Sequence, residues 1–156
     1  MIALEWAQIA PGEGHDRGQQ LLRQMYRCHT GQEMPAICLG ERGKPYFAEG
    51  PLHFSISHSQ RHVFCALSDR PIGIDAEEGG RELDLRLAKK ILSPTEQAQL
   101  AAAADPRRAL LTFWVLKEAA GKQTGYGINA NPRNTDFSLD DPRVREMDGC
   151  LVAVVE

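Results

Sequence analysis

The sequence predicts a mixed α+β fold, because strand-like and helix-like patterns of apolar residues are interleaved along the chain. Strand-like alternation is clearest where Phe54 and Ile56 alternate with serines, and helical spacing is clearest in the long apolar segment around Trp114. The patterns predict strands at 1–9, 37–39, 52–59, 63–68, 72–77 and 150–155, and helices at 16–28, 83–92, 93–104 and 107–124.

Residues typical of helix caps support the predicted helix boundaries. Ser93, Pro94 and Glu96 have the spacing of a capping box with proline at the first helical position. Asp105 followed by Pro106 repeats the serine-proline device before the longest helix, and Gly31 is a suitable stop for the first one.

Length and composition limit the range of functions. The chain has 156 residues, enough for one domain or for two small half-domains that share a core. Its formal net charge of -3 gives no general attraction to nucleic acid or to an anionic membrane. No apolar run approaches the length of a bilayer span, and no basic segment of a signal peptide precedes Glu5. We therefore expect a cytoplasmic protein that binds neither nucleic acid nor membrane.

The four cysteines do not suggest a metal or redox motif. Cys28, Cys38, Cys65 and Cys150 are far apart, with no C-x-x-C pair and no Cys/His ligand spacing. Each lies in or near an apolar segment. They are predicted to be reduced and mostly structural thiols.

Asp75 and Glu77 form an acid-x-acid pair at the end of an apolar strand. Side chains alternate across a strand, so both carboxylates lie on one face with Cα atoms about 7 Å apart. Two such charges repel unless something positive lies between them, and Mg²⁺ prefers oxygen ligands of this kind. The alternative is a solvated acidic strand end without a ligand.

Glu118 and Lys122 lie one turn apart on the longest predicted helix, on the same face as Trp114. A surface pair in this order would stabilise the helix by only about 0.3–0.5 kcal/mol. The neighbouring tryptophan instead suggests that the pair lies at the rim of a buried surface.

Ser57 and His58 end one predicted strand, and their hydroxyl and imidazole can bind a phosphate group or cap a turn. The turn at 69–71 predicts a hairpin between strands 63–68 and 72–77. This would place the serine-histidine loop and the two acids in adjacent strands of one sheet. Lys44 lies in a polar turn, where a solvent-facing lysine is the simple alternative.

Four short motifs occur in a characteristic order. Together they resemble the 4′-phosphopantetheinyl transferases of the surfactin-synthetase-activating type. The resemblance covers about 21–128 and extends more loosely to the closing strand. Its anchors are Gly43-Lys44-Pro45, then 54–59, then 71–77, and then 113–122 with Gly125-Tyr126-Gly127-Ile128 behind it.

The resemblance implies a metal centre. In such enzymes the matching acids hold magnesium against the pyrophosphate of coenzyme A, which implies Asp75, Glu77 and Glu118 as ligands here. Lys122 would contact the phosphates. Either Glu118, or Glu77 through a water, would act as the catalytic base.

The resemblance also implies the substrates. Lys44, Pro45, Ser57 and His58 would contact coenzyme A, and a serine of an acyl, peptidyl or polyketide carrier protein would receive the 4′-phosphopantetheine. The expected activity is that of a holo-[acyl-carrier-protein] synthase type transferase. The alternatives are a non-catalytic descendant that binds coenzyme A or a carrier protein, and a magnesium-dependent pyrophosphate hydrolase.

The chain departs from the family pattern in several places. Ser55, Gln60 and Ala76 replace the commoner asparagine, glycine and branched residue. Family members commonly have a longer N-terminal half, and the basic residues that grip the 3′-phosphate have no evident counterpart. Arg17, Arg23 and Arg42 are the candidates to replace them.

The resemblance predicts two unequal half-domains of the transferase fold, 1–68 and 69–156, with the nucleotide between them. Since each half contributes anchors, one chain can complete a site, and we expect a monomer. Basic residues Arg86, Lys89 and Lys90 with apolar Ile91 and Leu92 are the predicted docking surface for an acidic carrier protein.

Overall fold

The computed structural model describes residues 1–128 and 131–156. The strands are Ala3–Gln8 (β1), Ile37–Leu39 (β2), Pro45–Phe47 (β3), His53–His58 (β4), His62–Ser68 (β5), Gly73–Glu78 (β6), Val144–Met147 (β7) and Cys150–Val155 (β8). The helices are Gly14–Thr30 (α1), Ala88–Ile91 (α2), Pro94–Ala102 (α3) and Pro106–Thr124 (α4), with 3₁₀ turns at Leu85–Leu87 and Pro132–Asn134. The mixed α and β content predicted from the sequence is confirmed.

The fold has two three-stranded antiparallel sheets, each covered by a helix on its outer face. The first sheet has the order β1-β5-β4 and the second the order β6-β8-β7, while β2 and β3 form a separate two-stranded ribbon. Helix α1 covers the first sheet and α4 the second.

Alternation along β5 shows how the layers stack. Val63, Cys65 and Leu67 pack against α1, whereas Phe64 and Ala66 pack between the two sheets. Strand β8 divides in the same way, with one set of side chains facing β5 and the other facing α4. The inner faces of both sheets therefore form a shared core, as the period of two requires.

The predicted hairpin between strands 63–68 and 72–77 is wrong. Strand β5 already pairs with β1 on one side and with β4 on the other, so it has no free edge. Strand β6 pairs with β8 instead, with Asp75 opposite Ala153. The acids therefore lie in a different sheet from Ser57.

Serine hydroxyls nevertheless join β4 to β6. The backbone N–H of Ile74 donates to Oγ of Ser55 at 3.0 Å, and the N–H of Ala76 donates to Oγ of Ser57 at 3.1 Å. The two N–H groups point the same way because they are two residues apart. These hydroxyls satisfy the edge of β6 away from β8, which has no neighbouring strand among the described residues, and both serines are buried there.

The helix boundaries follow the predicted caps. Ser93 and Glu96 form the capping box, and the Asp105 side chain accepts from the N–H of Arg108. Gly31 and Gly125 end α1 and α4 in the left-handed conformation.

The sequence patterns missed two short strands and predicted one helix differently from the structure. Strands β3 and β7 were not predicted, because β3 begins at Pro45 in the polar turn and β7 has Arg145 and Glu146 between its two apolar residues. The predicted helix 83–92 is instead a 3₁₀ turn followed by the short α2. The segment 129–141 begins with two residues outside the described ones, and Phe137 in its later part is buried. Among the described helices, none is both long and apolar enough to cross a bilayer.

A buried ion pair fixes the connection after α4. Lys117 Nζ lies 2.7 Å from Oε1 of Glu96, with side chains 1% and 0% exposed. The ammonium also donates to the carbonyl oxygen of Thr135 at 3.0 Å, and Glu96 accepts from the N–H of Phe137 at 3.1 Å. Lys117 therefore anchors the segment after Pro132 against α3 and α4.

Gly73 permits the close approach of β6 to α4. A Cβ at this position would overlap the carbonyl oxygen of Ala119 and the backbone nitrogen of Gln123. Both obstacles are backbone atoms of a helix, which cannot move aside as a side chain can. The glycine between Ile72 and Ile74 is thus required by packing.

We predict that Gly73→Ala destabilises the protein by about 3 kcal/mol, because β6 must shift away from α4. The melting temperature should fall by about 6–12 °C in differential scanning calorimetry. Gly80→Ala is the matched control, since a Cβ there meets nothing within 4 Å. Equal melting temperatures for the two variants would contradict the packing role of Gly73.

Candidate active site

The two acids of β6 project toward α4. Ile74 and Ala76 pack in the core between the sheets, so Asp75 and Glu77 lie on the opposite face. The predicted shared face of the two acids is therefore present in the structure. The side chains of Glu118 and Lys122 extend from α4 into this region. Burial raises the pKa of Glu118, and the negative charges of Asp75 and Glu77 are close enough to raise it further.

Asp75 is the most enclosed of these acids, with 6% of its surface exposed. Its Oδ1 accepts from Nζ of Lys122 at 2.8 Å and from Oγ of Ser57 at 3.3 Å. Its Oδ2 is buried and has no hydrogen-bond partner among the described residues. A buried carboxylate oxygen without a partner is costly, and a bound cation would satisfy it.

Glu77 pairs with Arg81, four residues further along the chain. Burial and the charge of Asp75 raise the pKa of Glu77 above its ordinary value, although Arg81 opposes them. The Arg81 guanidinium also lies 5.6 Å from the centre of the Trp114 ring. The positive charge of Arg81 therefore lies next to Glu77, where a bound metal cation would also be attracted.

Glu118 lies half-buried on α4. Burial and the charge of Asp75 raise the pKa of Glu118, and the Lys122 ammonium only partly offsets this. Lys122 makes its close ion pair with Asp75 and not with Glu118, the partner that helical spacing alone suggests. Among the described residues, no ion pair within 4.0 Å involves Glu118.

The three acids fit a hard divalent cation such as Mg²⁺. They supply oxygen donors only, one of which is a buried oxygen without a partner among the described residues. Burial and the charge of Asp75 raise the pKa of both Glu77 and Glu118. In the described part of the chain, however, the tight group of possible ligand atoms is a different one, formed by His62, Glu78 and Cys150. The acids of the candidate site are held by Lys122 and Arg81 instead.

A cavity of about 330 Å³ adjoins Lys122 and lies between β4, the turn before β3 and the end of α4. The turn before β3 contributes one wall and the end of α4 the other. The residues that line the cavity include Lys44, Pro45 and Lys122, three of the five predicted coenzyme A contacts. The structure therefore brings these three together at one opening.

Lys44 reaches across this junction. Its Nζ donates to the carbonyl oxygen of Ile72 at 3.3 Å and to that of Gln123, and its stem packs on Gly125. Burial lowers the pKa of Lys44. Lys44 is therefore not a freely solvated lysine. It connects the turn of the β2–β3 ribbon to the start of β6 and to the end of α4.

Ser57 and His58 do not line the cavity. Ser57 is buried beside Asp75, whereas His58 is exposed and lies against Gly14 at the start of α1. Arg42 does line the cavity, with its guanidinium 3.8 Å from the centre of the Tyr126 ring. Sequence reasoning named Arg42 only as one of three candidates, and its position next to the Gly-Lys-Pro turn was the available signal.

The predicted docking surface is only partly exposed. Ile91 and Leu92 are 7% and 0% exposed and belong to the core around α4, so their assignment to the surface is wrong. Ile91 is the last residue of α2 and Leu92 is its C-cap, and both face the core. Lys89 and Lys90 are exposed, and Arg86 pairs with Asp84.

Comparison with known proteins identifies relatives. The family model described as the 4′-phosphopantetheinyl transferase superfamily matches residues 71–149, half of the chain. This segment includes β6, α4 and therefore all three acids.

Individual relatives carry the same name. The chain is 36% identical to a 4′-phosphopantetheinyl transferase of Bacillus subtilis over 117 residues, which cover 72% of this chain and 52% of the relative. It is 39% identical to the 4′-phosphopantetheinyl transferase Sfp of Bacillus subtilis strain 168 over 92 residues, covering 57% and 41%. It is 36% identical to the 4′-phosphopantetheinyl transferase AcpT of Escherichia coli K12 over 134 residues, covering 78% and 68%.

The chain thus spans about half the length of the two Bacillus subtilis relatives, 52% and 41%, and 68% of the Escherichia coli relative. The match includes the acid strand and the helix that faces it, which is where the candidate site lies. The chain belongs to the 4′-phosphopantetheinyl transferase superfamily.

Proposed function

We propose that the protein transfers 4′-phosphopantetheine from coenzyme A to a serine of a carrier protein, with Mg²⁺ as cofactor. The observation that carries the proposal is the convergence of four charged side chains, Asp75, Glu77, Glu118 and Lys122, next to the cavity that Lys122 lines. The chain belongs to a superfamily of such transferases. The nucleotide would bind between two half-domains, 1–68 and 69–156.

Coenzyme A binding is proposed at the cavity. Lys44 and Pro45 would contact the nucleotide from the turn before β3, and Lys122 would contact the pyrophosphate from α4. Ser57 and His58 lie outside the cavity lining and stay predicted contacts of coenzyme A; Ser57 also donates a hydrogen bond to Asp75.

Asp75, Glu77 and Glu118 would hold the metal, which when bound neutralises negative charge on the pyrophosphate. Lys122 is already directed at Asp75 and would stabilise charge that develops on the leaving phosphate. In the reaction the carrier serine oxygen bonds to the β-phosphorus, and the bond from this phosphorus to the bridging oxygen breaks. The product nucleotide leaves as 3′,5′-ADP.

Glu118 is the proposed base for the proton of the carrier serine. Its carboxylate is half-buried beside Asp75 and makes no close ion pair with the described residues, so one oxygen is available to accept the proton. Glu77, acting through a water, is the second candidate. Arg81 would have to leave Glu77 first, which favours Glu118.

The first test is direct transfer. Incubation with coenzyme A, Mg²⁺ and a panel of apo carrier proteins should add one phosphopantetheine mass to at least one carrier. Asp75→Asn should reduce transfer at least 100-fold and raise the Mg²⁺ concentration needed for half-maximal activity, because it removes a metal-ligand charge. Asp69→Asn, at an exposed position before β6, is the control.

Product analysis by mass spectrometry distinguishes the alternatives. Unaltered coenzyme A with measurable binding would indicate a non-catalytic descendant, and cleaved coenzyme A without a carrier adduct would indicate a hydrolase. Normal transfer by Asp75→Asn would exclude the proposed metal centre.

A second test concerns the 3′-phosphate of coenzyme A. We predict that Arg42 binds this group, since Arg42 lines the cavity and lies on Tyr126. Arg42→Ala should raise the KM for coenzyme A about tenfold and leave the KM for dephospho-coenzyme A, which lacks the 3′-phosphate, unchanged. Arg23→Ala, on the exposed side of α1, is the control. An equal rise in KM for coenzyme A and for dephospho-coenzyme A would show that Arg42 does not bind the 3′-phosphate.

A third test concerns assembly. Lys44 and Lys122 lie at one cavity of a single chain, so a second copy is not needed to complete the proposed site. Light scattering after size exclusion should give the mass of one 17.3 kDa chain. A stable trimer would contradict this expectation.

A further inference from the structure

A second group of chemically reactive side chains lies on the face of β6 opposite the acids. Glu78 follows Glu77 directly, so its side chain points to the other side of the strand. There it meets His62 at the start of β5 and Cys150 at the start of β8. Three strands from both sheets therefore converge at one point.

The distances within this group approach those of a metal site. Nδ1 of His62 lies 2.9 Å from Oε1 of Glu78 and 3.3 Å from Sγ of Cys150. The same Sγ lies 3.7 Å from Oε2 of Glu78. Ligand atoms bonded tetrahedrally to Zn²⁺ at about 2.0–2.3 Å are themselves about 3.3–3.6 Å apart. These contacts involve both oxygens of Glu78, and one possible ligand atom from each of the three residues lies within 4.8 Å of the other two.

Asp148 holds the histidine in a suitable orientation. Nε2 of His62 lies 2.8 Å from Oδ2 of Asp148, an oxygen that also accepts from Gln8 at 3.0 Å. With Nε2–H donated to this carboxylate, Nδ1 is the nitrogen that faces Glu78 and Cys150. A carboxylate on the second ring nitrogen is the usual support of a metal-binding histidine.

The surroundings would permit a fourth ligand. The His62 side chain is 8% exposed and Cys150 is fully buried, which shields two of the donors. A cavity of about 440 Å³ opens beside His62 and Glu78, with room for water. Arg61 lies 3.6 Å from Oε2 of Glu78, but its side chain is 74% exposed and can turn into solvent.

We propose that His62, Glu78 and Cys150 bind a thiophilic divalent cation such as Zn²⁺, with water as the fourth ligand. Asp148 is a positioning residue that acts through His62. One nitrogen, one sulfur and one oxygen donor suit Zn²⁺, whereas Mg²⁺ takes oxygen ligands only. Bound metal would join β5 of the first sheet to β6 and β8 of the second, and so fix the end of the strand that carries Asp75.

The experiment is a Co²⁺ titration of the chelator-treated chain, followed by absorption spectroscopy. One equivalent should produce a thiolate-to-Co²⁺ charge-transfer band and visible bands of tetrahedral Co²⁺, and added Zn²⁺ should displace them. Cys150→Ser should lose the charge-transfer band. Cys65→Ser, at a buried cysteine of β5 that faces α1, should keep it. Asp148→Asn should weaken Co²⁺ binding about 10–100-fold.

A wild-type chain without the charge-transfer band would overturn the proposal, and so would a Cys150→Ser variant that retains it. Circular dichroism of each variant shows whether it is folded. If Cys150→Ser does not fold, His62→Gln must weaken Co²⁺ binding at least tenfold for the proposal to stand. Asp75→Asn should keep the band, because the acids of the candidate site offer Co²⁺ no thiolate.

Discussion

The position of β6 depends on two side-chain hydroxyls that take the place of a neighbouring strand. The N–H groups of Ile74 and Ala76 lie along an edge of the second sheet, and Ser55 and Ser57 accept from them. Each buried N–H without such a partner would cost about 1–3 kcal/mol. Because the serines and the N–H groups have the same two-residue spacing, the contact also sets the register between the sheets. Asp75 is thereby placed beside Ser57.

Electrostatics at the candidate site follow from that placement. Packing through Gly73 brings β6 against α4, so three carboxylates share a partly buried region with Lys122 and Arg81. The two cations reduce the repulsion but leave Oδ2 of Asp75 without a partner among the described residues. Such a site favours a ligand that brings both positive charge and phosphate, since the metal meets the acids and the phosphate meets Lys122.

Sequence patterns predicted what depends on neighbours in the chain. The caps at Ser93 and Asp105 and the shared face of Asp75 and Glu77 follow from local spacing, and the structure contains them. Strand partners are not local. The predicted hairpin is wrong because β5 pairs with β1 on one edge and with β4 on the other. The apolar periodicity of a strand does not indicate which strands pair with it. For the same reason Lys122 was matched with Glu118 and not with Asp75, 47 residues away.

Consecutive residues of β6 place two kinds of donor on opposite faces. Glu77 joins the all-oxygen group against α4, while Glu78 joins a nitrogen and a sulfur donor between β5 and β8. The backbone of β6 separates the groups, so a thiophilic metal at one face need not compete with Mg²⁺ at the other. The two faces still share a strand. A metal bound at Glu78 would restrain Glu77 and Asp75 through the shared backbone of β6 and its pairing with β8, without any shared ligand.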